Sequence, residues 1–157
     1  MARWHQDAEF LRLYDSRPAY PKTEAELSRW LEELQKDRHT FAFAVRPVEG
    51  DDLIGYLELD GINWQHGVCG MGLAIGDQAN WGQGYGREAT QLGLAFAFNE
   101  LNLHRVQVTV FSYNERSIAL IEKMGFQREG AYREFLQRDG RRHDMILYGL
   151  LRHEWEA

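Results

Sequence analysis

Residues 81–87 read Trp81-Gly82-Gln83-Gly84-Tyr85-Gly86-Arg87, with glycine at alternate positions. A glycine has no Cβ, so such a run leaves successive backbone N–H groups open to a ligand. The apolar helical pattern that follows adds the positive end of a helix, and Arg87 adds a formal charge. Together these suit a phosphate or pyrophosphate. The stretch from Gly84 to Ala89 also fits the G-x-G-x-x-A form of the dinucleotide fingerprint. That reading needs a carboxylate ~20 residues further on to hold a ribose, and the chain has His104-Arg105-Val106 there. A Walker loop fails as well, because no Gly-Lys-Ser/Thr triplet follows the glycines.

A second group of residues could move protons. Glu58, Asp60 and His66 lie on or beside two strands leading toward the glycine loop. A carboxylate or imidazole there could take a proton from an amine, directly or through water. The plainer readings are a solvated sheet face for Glu58 and Asp60 and a turn residue for His66. Asn114 and Ser117 open a helix, where either side chain could serve only as a cap. His143-Asp144 and His153-Glu154 lack metal-ligand spacing, so no metal site is expected. Arg138, Arg141 and Arg142 surround a hairpin turn and read as a solvated basic tip, or as a guide for an acidic substrate or a phosphate.

The elements that must position these residues follow from periodicity. Asp7, Phe10, Leu11, Leu13 and Tyr14 predict a short helix over 7–16, closed by Pro18 and Pro21. Thr23 and Glu26 form a capping box ahead of Leu27, Trp30, Leu31 and Leu34, predicting an amphipathic helix over 23–36. Strands are predicted over 41–45, 53–62 and 68–75, the last two joined as a hairpin near 65–67. In the middle strand Leu57 and Leu59 share one face, and Tyr56, Glu58 and Asp60 the other. A largely buried helix over 87–100 leads to a strand over 104–111. Asn114 caps the next helix and Gly125 stops it. Strands over 126–137 and 141–151 flank Asp139-Gly140, a type I′ hairpin signal.

The resulting order, α-α-β-β-β-α-β-α-β-β, is an α/β layered domain with one parallel crossover, from strand 68–75 through a helix to strand 104–111. A length of 157 residues supports one domain, 1–157, and the 44% hydrophobic content suffices for a core. With 18 basic and 24 acidic side chains the net charge is −6, which leaves no global basic field for a nucleic acid or an anionic membrane. Cys69 is the sole cysteine, so no internal disulfide is expected and a reducing, cytoplasmic setting fits. Residues 1–10 have no apolar leader, and no later stretch is apolar for long enough to span a bilayer.

Two separated motifs give the chain a resemblance to the GNAT superfamily of acyl-CoA-dependent N-acetyltransferases, extending over nearly the whole chain from Asp7. Residues 81–86 resemble the family's Q/R-x-x-G-x-G/A pyrophosphate loop, with Trp81 at the Gln/Arg position. Residues 114–126 (NERSIALIEKMGF) resemble its N-x-x-S/A…E-K-x-G-F segment. The WGQGYG loop, the Asn114-x-x-Ser117 pair and the Asp144…Leu147-Tyr148…Leu150-Leu151 ending look most like the branch that acetylates ribosomal-protein N-termini.

The resemblance implies a mixed central sheet with helices on both faces and acetyl-CoA lying in a V between strands 68–75 and 104–111. The pantetheine arm would then run along Leu73, Ala74 and Ile75, and the pyrophosphate would meet Trp81, Gly82, Gln83, Gly84, Tyr85, Gly86 and Arg87. Asn114, Ser117, Ile121 and Lys123 would flank the cofactor from the following helix. An amine acceptor, a peptide or protein N-terminus, would enter from the other side. Polyamine or antibiotic acetylation and a non-catalytic CoA-binding module are the alternatives. Many family members carry a tyrosine where this chain has Ile121, so Ser117 takes the role of thiolate protonator, with Glu58 and Asp60 the candidate bases. Only residues 1–6 precede the first helix, so the family's opening edge strand is expected to be missing or shortened. The apolar edge of strand 41–45 would then call for a partner, such as a second copy of the chain in a homodimer.

Overall fold

The structure, a computed structural model, describes residues 1–156. Its elements are α1 (Ala8–Tyr14), α2 (Glu24–Lys36), β1 (Phe41–Val45), β2 (Gly55–Asn63), β3 (Val68–Ile75), α3 (Tyr85–Ala95), β4 (Arg105–Phe111), α4 (Glu115–Lys123), β5 (Gln127–Arg138), β6 (Arg141–Leu151) and α5 (Arg152–Trp155). The six strands form one mixed sheet in the order β1-β2-β3-β4-β6-β5. Every neighbouring pair is antiparallel except β3 and β4.

That parallel pair is brief. Val68 faces Arg105, Cys69 faces Val106 and Gly70 faces Gln107, and there the register ends. Beyond it β3 stays paired with β2 as far as Ile75, and β4 stays paired with β6 as far as Phe111. The two strands therefore diverge, and each keeps one hydrogen-bonding edge turned toward the gap between them.

Period-two alternation sorts the side chains onto two faces. Leu57, Leu59, Met71, Val106, Val108, Val110, Ile146 and Tyr148 meet Ala89, Leu94, Phe98 and Ile121 in the larger core, so α3 and α4 cover that face. Gly93 lets α3 press onto β2, since an added Cβ would lie 2.8 Å from Leu57 Cδ1. On the other face Trp4, Phe10, Leu11, Tyr56 and Ala74 form a second cluster with Tyr14 and Trp30, so α1 and α2 pack there. Helices on both faces of a mixed sheet match the expected architecture.

The capping box read from the sequence is present, and Asp7 adds a cap of its own. Asp7 accepts from the Glu9 amide at the start of α1, and Thr23 and Glu26 complete a capping box on α2. Asp139 and Gly140 have φ of 49° and 74°, the paired positive values a type I′ turn requires. Other details differ. The helix expected over 87–100 starts at Tyr85, behind a left-handed Gly84, and ends in a π turn over Phe96–Glu100. There Leu101 N–H reaches back to the Phe96 carbonyl at 3.0 Å, and Phe96 packs edge-on to Phe41 and Phe43. An extra residue in the turn is the local means of aiming Phe96 at β1. Leu31, expected on the buried face of α2, stays 39% exposed.

Residues before α1 form a 3-10 turn over Trp4–Gln6 rather than an edge strand. Trp4 lies across Gly76, where any added Cβ would overlap its indole ring. As expected, then, no opening strand pairs with the outer edge of β1 among the described residues. No helix among them is long and apolar enough to cross a membrane.

Candidate active site

The glycine loop stands at the open end of the β3–β4 gap. Gly82 and Gly84 have φ of 74° and 96°, backbone states that a side chain would strain. Both are exposed, and a Cβ at Gly82 would meet nothing within 4 Å. Gly84 is the N-cap of α3 and offers no side chain to its first turn. The first N–H groups of that helix are thus left to a ligand, at the positive end of the dipole. Gly86 sits where a Cβ would touch Leu73 at 3.6 Å and Leu120 at 3.5 Å. The start of α3 therefore reaches both β3 and α4, the two walls of the gap.

Trp81 is more than a member of the loop. Its indole Nε1 donates to the Ile75 carbonyl at 2.7 Å, and the Arg116 guanidinium lies 4.2 Å from its ring centre. Arg116 was not among the residues singled out from the sequence. Its place in the first turn of α4 puts a cation beside the glycine loop. Arg87 is exposed on the first turn of α3.

Across the gap, Asn114 begins α4. Its Oδ1 accepts from the Ser117 amide at 3.1 Å, and its Nδ2 donates to the Leu13 carbonyl at 3.3 Å. The cap is therefore made by Asn114, and Ser117 contributes its backbone N–H rather than its hydroxyl. Ser117 is half-buried, Ile121 packs in the larger core and Lys123 is exposed at the end of α4.

The carboxylates occupy the opposite face of the sheet. Glu58 on β2 is directly opposite Gly72 on β3, and Asp60 is opposite Gly70. Cross-strand partners share a face at about 5 Å, so Glu58 is one strand away from the gap. Gly72 has no side chain to fill the space between. Gly70 is overlaid by the Asp60 carboxylate, which an added Cβ would strike. Gly72 thus leaves the space between Glu58 and the diverging edge of β3 open, whereas Asp60 fills the space over Gly70. His66 lies exposed in the β2–β3 turn, beside the paired end of β3 and away from the opening.

Glu58 Oε1 and the Tyr56 hydroxyl are buried without hydrogen-bond partners. Burial first, and the nearby Asp60 charge second, push the Glu58 carboxyl up to about 7, while Lys22 and the neighbouring Tyr14 pull the other way. Partial desolvation also raises Asp60. A carboxylate held near neutrality beside a gap can accept a proton and release it again. Cys69 is buried and its thiol is pushed up to about 12, chiefly by desolvation, so it is no nucleophile.

Beside α1 lies a cleft of about 380 Å³, walled by Glu9, Arg12 and Leu13 of α1, by Tyr113, and by Arg138, Asp139 and His143 at the hairpin tip. Arg141 and Arg142 of the same hairpin are exposed, as a solvated tip would have them. Arg138 departs from that reading. It turns inward to the carbonyls of Asp15, Ser16 and Arg17.

A parallel strand pair that opens beside a glycine loop and a helix N-terminus is an arrangement an acyl-CoA-dependent acyltransferase can use. Residues 1–127 match the family described as Acetyltransferase (GNAT) domain, and the chain belongs to that family. It is 35% identical over 152 residues to the SPbeta prophage-derived uncharacterized N-acetyltransferase YokL of Bacillus subtilis (strain 168), covering 96% of this chain and 82% of the relative. It is 25% identical over 127 residues to the ribosomal protein uS5-alanine N-acetyltransferase of Escherichia coli (strain K12), covering 80% of this chain and 64% of the relative. In fold it matches the crystal structure of spermidine N-acetyltransferase from Vibrio cholerae in complex with CoA and spermine, with a TM-score of 0.88 at 24% identity, over 99% of this chain and 90% of that one. The protein is an N-acetyltransferase, and its cosubstrate is acetyl-CoA.

Proposed function

We propose that the chain, acting as one domain in the cytoplasm, transfers the acetyl group of acetyl-CoA to the primary amine of a peptide or protein N-terminus. The observation that carries this reading is Glu58, facing Gly72 and raised to about 7, one strand from the gap. An amine entering over Gly72 loses its proton to Glu58 and attacks the thioester carbonyl. Asp60 shares the role by raising Glu58. Backbone N–H groups on the free edge of β3, around Leu73, Ala74 and Ile75, meet the negative charge that develops on the carbonyl oxygen. The residues at the gap fit the cosubstrate: Gly82 to Arg87 take its pyrophosphate, and Asn114 with the first turn of α4 borders its arm. The Ser117 hydroxyl hydrogen-bonds the leaving thiolate or relays to it a proton from water, because Ile121 supplies none.

The cleft beside α1 favours a peptide. Arg12, Arg138 and His143 line it together with Glu9 and Asp139. The lining carries both charge signs, which suits a peptide, with its ammonium and its carbonyls, and offers no acidic stripe for a polycation. The relative that acts on ribosomal protein uS5-alanine supports the same choice. The carboxylate pair on β2 and the fold shared with a spermidine N-acetyltransferase support polyamines as the second reading. A homodimer joined along β1 would cover its free edge.

The test is an acceptor panel of N-terminal peptides, polyamines and aminoglycosides, read by CoA thiol release and product mass. Peptide turnover that falls at least about a hundredfold in Glu58→Gln supports the reading. Polyamine turnover alone supports the second one.

A further inference from the structure

We propose that Trp4 is a positioning residue for the cosubstrate: laid over Gly76, it holds the turn from which the glycine loop is hung, and so presets the N–H groups that meet the pyrophosphate. The inference rests on the reading of Gly82 to Arg87 as the phosphate site. It begins with the weakness of the connection between β3 and α3. Residues 76–84 contain three glycines, two of them exposed and at positive φ, and their one regular element is the short 3-10 turn Gln78–Asn80. Glycine leaves a backbone many states to choose from. A loop that must present its N–H groups in one arrangement therefore needs fastening from outside.

The N-terminal segment supplies that fastening, at three successive residues. Trp4 is buried, and its indole Cδ2, Cε2 and Cε3 occupy the place a Cβ would take at Gly76. The ring thus lies directly on backbone, and only glycine admits it there. The Gly76 amide donates to the Ile54 carbonyl at 2.9 Å, which ties the same residue to the start of β2. Arg3 pairs with Asp77, and Gln78 Nε2 donates to Glu9 Oε2 at 2.9 Å. Both of these contacts are exposed and add little, so Trp4 is the main hold. Its own support comes from the α1 side of the sheet. The Asp7 amide closes the Trp4 turn on the Trp4 carbonyl at 3.0 Å, the Asp7 carboxylate caps α1, and the indole packs in the cluster of Phe10, Leu11 and Ala74.

From residues 76–78 the hold passes to the loop through hydrogen bonds. The Asp77 carbonyl accepts from the Asn80 amide at 2.9 Å, and its carboxylate from the Ala79 amide at 3.3 Å. The Gln78 carbonyl accepts from the Trp81 amide at 3.0 Å, and the Ala79 carbonyl from the Gln83 side chain. Trp81 also reaches back to the Ile75 carbonyl, the residue just before Gly76. Trp81 and Gln83 flank Gly82, so a shift at 76–78 displaces the first glycine of the loop. A loop that is in its binding arrangement only a tenth of the time binds about tenfold more weakly.

The experiment compares Trp4→Leu and Trp4→Phe in the full chain, at temperatures where circular dichroism shows each to be folded. Leucine keeps an apolar side chain and loses the flat cover over Gly76; phenylalanine keeps a flat ring. Amide hydrogen exchange over residues 77–84 reads the hold without any ligand. It should quicken in Trp4→Leu and stay near wild type in Trp4→Phe. Calorimetry with CoA should then give a Kd raised about tenfold in Trp4→Leu, with the acetyl-CoA KM rising in step, and Trp4→Phe restoring most of the affinity. Unchanged exchange, or a lowered melting temperature with wild-type CoA affinity, would overturn the proposal and leave Trp4 a core residue only. If Trp4→Leu does not fold, the double variant Arg3→Ala/Gln78→Ala leaves the core intact and carries the test. It should weaken CoA about threefold, and wild-type affinity there would overturn the proposal. Failure of the phosphate-site reading would show elsewhere, in wild-type CoA affinity of Gly84→Val.

Discussion

Trp81 donates its indole N–H to the Ile75 carbonyl at 2.7 Å, which fastens the glycine loop to the end of the strand that borders the cosubstrate gap. The family pattern that the loop resembles puts a Gln or Arg at that position. Here the side chain braces the loop, and the Arg116 cation is stacked on its outer face. Trp81→Phe keeps an aromatic ring and removes the donor. Calorimetry with CoA should show affinity reduced about five- to tenfold, the worth of one hydrogen bond of ~1 kcal/mol. Unchanged affinity would mean the brace is dispensable.

Gly84→Val should abolish CoA binding while leaving the far-UV spectrum intact. At φ 96° a β-branched side chain is strained, and it would stand over the N–H groups that meet the pyrophosphate. Wild-type CoA affinity in that variant would contradict the placement of the phosphate site.

Glu58→Gln tests the base and its titration together. The base form exists above the raised value of about 7, so wild-type kcat/KM should climb with pH through that value and then level off. The Gln variant should lose about two to four orders of magnitude and the climb with it. Stability has the opposite sign. Because the folded value lies above the ordinary 4.5, the folded state binds the extra proton, and wild-type stability falls as pH rises from 4.5 through 7. Melting curves of the Gln variant should lack that fall.

Ser117→Ala and Asn114→Ala separate chemistry from capping. Asn114 Oδ1 makes the cap, so Ser117→Ala should keep its melting temperature and lose turnover, with the acetyl-CoA KM unchanged. Asn114→Ala should lose ~1 kcal/mol or more, since it gives up the cap and the bond to Leu13. Full turnover in Ser117→Ala would leave solvent as the acid.

Local chemistry made much of this legible from the sequence. Alternate glycines before a helix marked the phosphate loop, Asp139-Gly140 marked the hairpin, and period-two spacing put Glu58 on the face opposite Leu57. What stayed hidden depends on contacts between distant residues. Nothing near Arg138 indicates that its partners are carbonyls at 15–17, or that Asn114 reaches Leu13, 101 positions away. The separation of β3 from β4 after three residue pairs is likewise a property of the whole sheet. Tyr14 read only as part of an apolar helix face, because its edge-on packing against Tyr56 of β2 arises through the fold.

Transfer itself is the most direct measurement: acetyl-CoA and an N-terminal peptide incubated with the wild-type chain and with Glu58→Gln, following free thiol and acetylated peptide together. The account predicts one acetylated N-terminus for each thiol released by the wild type, and a loss of at least about a hundredfold in the variant. Acetyl-CoA binding without acetylation of any amine on the panel, or undiminished transfer by Glu58→Gln, would contradict it.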